Sequence, residues 1–228
     1  MILLLDERIQ QIMKALGMIE VYSFTTAVCV GDVAAKAADV KVIAFDRNRP
    51  ISPDVPAPVV MIVKIEGEVA AVKAAVDAGV SYAKGQGKYI VSHIIARPDE
   101  DTENMAYLID INKDKYNKKF PKTFKGVEAS APETKGAIGL LEVEGLVASI
   151  EGLDTMLKAA EVRLVHTEKR LGGRLVTYII TGNVSAVKAA VEAGYKGAKV
   201  LGRIFGNEVI ANPHNEILKF FDMESTIS

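Results

Sequence analysis

Apolar residues recur along the chain in two alternating rhythms. GMIEVYSF and GLLEVEGL are short β-rich runs bounded by glycine and polar residues, and they predict strands. Each leads into an alanine-rich, proline-free stretch, 25–38 and 147–160, that predicts a helix. VKVIAF and VRLVHT predict second strands, and VVMIVKIEG and RLVTYIITG third strands closed by Gly67 and Gly182. After Gly67, Val69, Val72, Val76, Val80 and Ala83 recur at helical spacing and predict one apolar stripe; Val184, Val187, Val191, Tyr195 and Ala198 do the same after Gly182. Asn183 suits the N-cap of that second helix, and Glu68 is a poorer cap for the first. YIVSHIIARP and IFGNEVIANP predict closing strands, stopped by Pro98 and Pro213. The order β, α, β, β, α, β predicts an α/β unit with helices on an antiparallel or mixed sheet.

The pattern is written twice. Residues 15–48 match 137–170 at an offset of 122, with nine of 34 pairs identical; 59–98 match 174–213 at an offset of 115, with seventeen of 40 identical. AVKAAVDAG and AVKAAVEAG are the plainest echo. The change of offset places seven extra residues of the first copy in RNRPISPDVPAP. A unit of about 80 residues exceeds solenoid repeats, so each copy reads as a domain. The expected organisation is an N-terminal extension (1–14), a first domain (15–98), a connector (99–135) and a second domain with a C-terminal tail (136–228). The connector carries DEDTEN and the lysine-rich KDKYNKKFPKTFK, the character of a solvated linker. MAYLIDI within it and NEILKFF after copy two are candidates for short packing segments, and LLLDERIQQIMK for a short amphipathic helix.

Composition narrows the function classes. The chain has 228 residues, 49% hydrophobic and 25% charged, with a formal net charge of -1, which gives no reason to expect nucleic acid or an acidic membrane as partner. Met1–Leu5 is followed at once by Asp6 and Glu7, unlike a signal peptide, and no apolar run approaches the length of a spanning helix. A single cysteine, Cys29, fits a reducing cytoplasm. His93, His166 and His214 are scattered without metal-ligand spacing, and Gly17 and Gly139, read as preceding strands, lack a dinucleotide-binding context. No catalytic residue, cofactor or metal site is expected, and the protein does not read as an enzyme.

ALGMIEV, a helix ending in KAA, the turn KRLGGR before LVTYIITG, then GNVSAVKAAVEAG and a closing IIARP occur in order. Together they resemble the bacterial microcompartment shell domain, over roughly 15–98 and 137–221. Two unpermuted copies resemble the tandem-domain class, whose chains assemble as trimers imitating six-fold hexamers. The resemblance implies two tandem α/β domains with mainly antiparallel sheets, a homotrimer, other microcompartment shell proteins as partners and a place in the shell. It also implies a central pore for small metabolites and no catalysis. Three chains of two fused copies close a ring through heterologous contacts.

In the family the turn between the second and third strands faces the central axis. Residue by residue, that places Arg47, Asn48, Arg49, Pro50, Ile51 and Ser52 of copy one, with Pro53, and Lys169, Arg170, Leu171, Gly172, Gly173 and Arg174 of copy two at a pore. Three copies of each loop would gather cations at one aperture and favour anionic or polar solutes. The alternative is that the cations pair with Asp46 or Glu168 and the proline-rich loop plugs the hole. Lys36 and Lys158 match the family lysine at contacts between tiles, and Arg97 matches the arginine of the closing motif, where copy two has Asn212.

Beside an enzyme with its active site at the seam between the copies, for which the sequence offers no acid–base or nucleophile constellation, two other classes stay open at this level. One is a small-molecule-binding regulatory trimer on related repeats. The other is an electron relay, since some tandem shell proteins hold an iron–sulfur cluster through one pore-loop cysteine per chain; Cys29, however, falls in the first helix.

Overall fold

The computed structural model describes residues 14–48, 50, 54–98, 136–169 and 172–221. Copy one runs β1 (Ala15–Tyr22), α1 (Phe24–Ala37), β2 (Lys41–Asn48), β3 (Val60–Gly67), α2 (Val69–Gly85) and β4 (Tyr89–Ile95). Copy two runs β5 (Ala137–Glu144), α3 (Leu146–Ala159), β6 (Val162–Glu168), β7 (Leu175–Gly182), α4 (Val184–Lys199) and β8 (Ile204–Ile210), followed by a short α5 (Asn215–Leu218). Both copies therefore have the expected order, with α1 and α3 each starting one residue early. The sheets are β2-β3-β1-β4 and β6-β7-β5-β8, antiparallel throughout. Among the described residues no helix is long and apolar enough to cross a membrane. The N-terminal extension and the connector, including MAYLIDI, lie outside the described residues.

Gly17 and Gly139 sit inside the central strands, not ahead of them as the sequence suggested. A Cβ on Gly17 would come within 2.7 Å of Val72 Cγ1, and one on Gly139 within 2.6 Å of Val191 Cγ2. Their absence of a side chain lets α2 and α4 lie directly on the strands. The predicted stripes need a correction at their first residues and in their middles. Val69 and Val184 are exposed, because each opens its helix beyond the sheet, while Ala75, Gly79, Ala190 and Gly194 join the buried face. Asn183 occupies the N-cap position but makes no side-chain capping bond, and neither does Glu68.

The two copies share a core. Ile138, Leu140 and Glu142, on the β5 face that points away from α4, are fully buried, whereas Met18 and Glu20 at the matching places of β1 are only partly so. The difference is the neighbour: that face of copy two, with Leu175, Ile179 and Phe205, packs on Phe24 and Val28 of α1. The C-terminal segment closes the seam. Glu216 accepts from the Val42 amide at 2.8 Å, Asp32 accepts from the His214 amide at 2.7 Å, and Phe220 lies edge-on to Phe45 at 4.8 Å. NEILKFF thus packs across onto copy one. The corresponding sheet face of copy one is more polar, with Lys64 buried and paired to Asp46 where copy two has Ile179 and Glu168.

Candidate functional site

The two candidate pore loops leave their sheets side by side. Arg47 and Asn48 are exposed at the end of β2, paired with Met61 and Val60, and Pro50 is half-buried beyond them. Arg49, Ile51, Ser52, Arg170 and Leu171 lie outside the described residues. Lys169 is exposed just after β6. Gly172, Gly173 and Arg174 then all take positive φ, 88°, 61° and 61°, and Leu175 N donates back to the Gly172 carbonyl at 3.1 Å. The left-handed backbone at 173, shared by Arg174, favours glycine, and packing demands it, because a Cβ there would come within 2.8 Å of Pro58 Cβ. The turn of copy two therefore rests against the end of the proline-rich loop of copy one.

Each loop is tied at its far end to the start of a helix. Val59 O accepts from Ser23 N at 3.1 Å, and Arg174 O accepts from Gly145 N at 2.9 Å. Ser23 and Gly145 are the N-caps of α1 and α3, and both have positive φ, 79° and 96°. Serine in this conformation is strained, and its hydroxyl is engaged across the seam. Ser23 Oγ donates to Glu142 Oε2 at 2.5 Å, and the Phe24 and Thr25 amides donate to the same carboxylate at 3.3 and 2.9 Å. A strand carboxylate of copy two thus caps the first turn of a copy-one helix, where the helix dipole favours negative charge. Lys88 Nζ adds a bond to the Phe205 carbonyl on the β8 edge at 2.5 Å.

Sequence reasoning did not single out Glu142 or Ser23. The available signal was an acidic residue at an inward position of the apolar run GLLEVEG.

The candidate edge residues are exposed and spread over two elements in each copy. Lys36 is in the last turn of α1 and Lys158 in the last turn of α3, each bonded at 2.5 Å to an acid one turn earlier, Asp32 or Asp154. The Asp154 hydrogen bond raises the Lys158 pKa. Asp32 differs from Asp154 in being buried, because it also holds the His214 amide of the C-terminal segment. Arg97 and Asn212 are exposed just beyond β4 and β8.

Cys29 lies in α1, away from both loops, and is 4% exposed. Burial pushes its thiol up to about 12, against the lowering effect of a hydrogen bond to Tyr82. A protonated thiol inside a helix contact does not suit a cluster ligand. Among the described residues no group of His, Cys, Asp or Glu is placed to hold a metal ion.

Comparison with known proteins agrees on one family. The BMC domain matches residues 15–98 and again 137–213. The carboxysome assembly protein CcmO of Synechococcus elongatus is 31% identical over 204 residues, which cover 90% of this chain and 67% of that protein. The bacterial microcompartment shell protein PduA of Citrobacter freundii is 46% identical over 83 residues, 36% of this chain and 88% of that protein. The carboxysome shell protein CsoS1A of Hydrogenovibrio crunogenus is 44% identical over 89 residues, 39% of this chain and 92% of that protein.

Proposed function

The chain belongs to the BMC domain family and is a structural protein of bacterial microcompartment shells, and on that premise we propose that three chains close into a pseudohexameric tile around a central pore. The contact of Gly173 with Pro58 carries this reading, because it sets the two unlike loops next to each other at one end of the seam. Three such pairs around an axis would line an aperture with alternating loops. Copy one would contribute Arg47 and Arg49, and copy two Lys169, Arg170 and Arg174. The excess of cations favours anionic or polar metabolites over cations.

Lys36 and Lys158, with Arg97 and Asn212 beyond the closing strands, would meet other tiles of the shell. Asn212 in place of arginine makes the two kinds of edge chemically unlike. The tile serves as wall and filter and has no catalytic step of its own. A regulatory trimer and an electron relay through Cys29 are not favoured: the relatives are shell proteins, and the thiol is buried outside the loops.

Electron microscopy of the purified protein tests the tile directly. Flat hexagonal arrays with a repeat of about one pseudohexamer support it. Particles that remain isolated at every concentration and salt tested, alone and with other shell proteins, would overturn it.

A further inference from the structure

Resting on the ring reading, we propose that the seam between neighbouring chains is built by Glu20 of one chain capping the first turn of α3 in the next, and that this seam stands more open than the one inside each chain. Inside the chain, the β5 and β8 face of copy two sits on α1 of copy one. That contact is head-to-tail, so it leaves two complementary halves unused: the β1 and β4 face of copy one, and α3 of copy two. The repeat offsets match them residue by residue. Glu20 stands where Glu142 does, Leu146 and Val147 where Phe24 and Thr25 do, and Val91 where Gly206 does.

The unused halves look like an interface without its partner. Phe24 and Val28 are 2% and 0% exposed, but their counterparts Leu146 and Ile150 are 61% and 54% exposed, and Val147 is 75%. On the other half Val91 is 51% exposed. Glu20 is half-buried, and its carboxylate has no hydrogen-bond or salt-bridge partner among the described residues. Gly145 supplies no side chain to cap α3, so the Leu146 and Val147 amides stand ready for a carboxylate. A second copy of this chain, placed as copy two is placed on copy one, brings Glu20 to those amides and covers the apolar group.

The two seams differ in a way the residues dictate. A Cβ on Gly206 would lie 2.6 Å from Thr25 Cβ, closer than two side chains can approach. At the matching point between chains stand Val91 and Val147, each with a full side chain. The chains must separate there by roughly 1 Å or more relative to the copies within a chain, since apolar atoms in contact stay about 4 Å apart. Glycine at 145 in place of Ser23 also removes the hydroxyl donor, leaving Glu20 the two amides alone. The ring is then three tight and three looser seams.

The opened spacing brings Cβ atoms at 91 and 147 toward the roughly 3.5–4.5 Å that a disulfide requires. A Val91→Cys/Val147→Cys double variant, oxidised and run on a non-reducing gel, is expected to give a covalent ladder ending at trimer. Either single variant should give none, and buried Cys29 does not compete. Separately, sedimentation of Glu20→Ala should show assembly weakened about tenfold or more in concentration, the scale of losing hydrogen bonds to a charged group. A trimeric double variant without the ladder, or Glu20→Ala that assembles like the wild type, overturns this seam and leaves the ring standing. A wild-type chain that never forms trimers overturns the ring reading itself.

Discussion

Ser23 Oγ donates to Glu142 Oε2 at 2.5 Å across the seam between the two copies, from a backbone held at φ 79°. Copy two has Gly145 in the same conformation with no such bond. The serine therefore combines a strained backbone with a strong hydrogen bond to a buried carboxylate, and the two can be separated. Ser23→Ala keeps the strain and loses the bond, which should lower the unfolding free energy by about 2 kcal/mol. Ser23→Gly loses the same bond but relieves the strain, so its loss should be smaller by about 1 kcal/mol. Urea denaturation of the two variants decides the point, and equal losses would show that the conformation costs nothing.

Cys29 should be inert in the folded chain. It is buried in α1 and its thiol is raised to about 12. At pH 8 the thiolate fraction falls by about three orders of magnitude relative to a free cysteine near 8.5. Labelling with a soluble thiol reagent should be undetectable over minutes in buffer and complete in denaturant. Rapid labelling of the native protein would mean that α1 opens readily and that the seam is not rigid.

Glu208 on β8 should make stability depend on pH with an unusual sign for a carboxylate. Burial raises its pKa above the ordinary 4.5, and the attraction of Lys88 only partly offsets this. The folded state thus holds this proton more tightly than the unfolded state, so the group opposes folding above its folded pKa. That penalty lifts as pH falls through the raised value toward 4.5. Glu208→Gln is expected to melt at or above the wild-type temperature at pH 7, with the difference vanishing by about pH 4. A variant whose deficit grows as pH rises would instead make the Lys88 attraction dominant.

The fold was legible where side-chain size and period agree. The valines at 72, 76, 187 and 191 mark the faces of α2 and α4 because they are apolar, bulky and helically spaced. Gly79 and Gly194 belong to the same faces but carry no hydrophobic signal. They are buried because their neighbours approach so closely that a Cβ on Gly79 would meet Ile19 of β1 at 2.7 Å and Val30 of α1 at 3.1 Å, and one on Gly194 would meet Met156 of α3 at 2.3 Å. The loops at 47–53 and 169–174 stood out as the places where two otherwise matching copies diverge, and Gly173 turned out to need both its freedom and its bareness. Glu142 was not legible, because Glu20 is the same residue type at the matching position of the equivalent strand in the other copy. What separates them is which surface lies opposite, and that is set by the docking of one copy on the other, not by local pattern.

The cationic loops make the final prediction. Arg47, Lys169 and Arg174 are exposed at the ends of β2 and β6 and at the start of β7, and Asp46 behind them is buried against Lys64. If three copies of each loop surround one aperture, their potential is focused by the low-dielectric walls and falls off over about 8 Å at physiological salt. Arg47→Glu and Arg174→Glu together exchange six positive charges for six negative ones in a trimer. The ratio of anion to cation permeability should drop by about tenfold or more, measured as solute flux into assembled shells or conductance through inserted tiles. Either change alone should give a partial drop, and raising the salt should shrink all of them. Equal permeabilities in wild type and double variant would mean that the charges do not face the aperture or that the proline-rich loop closes it.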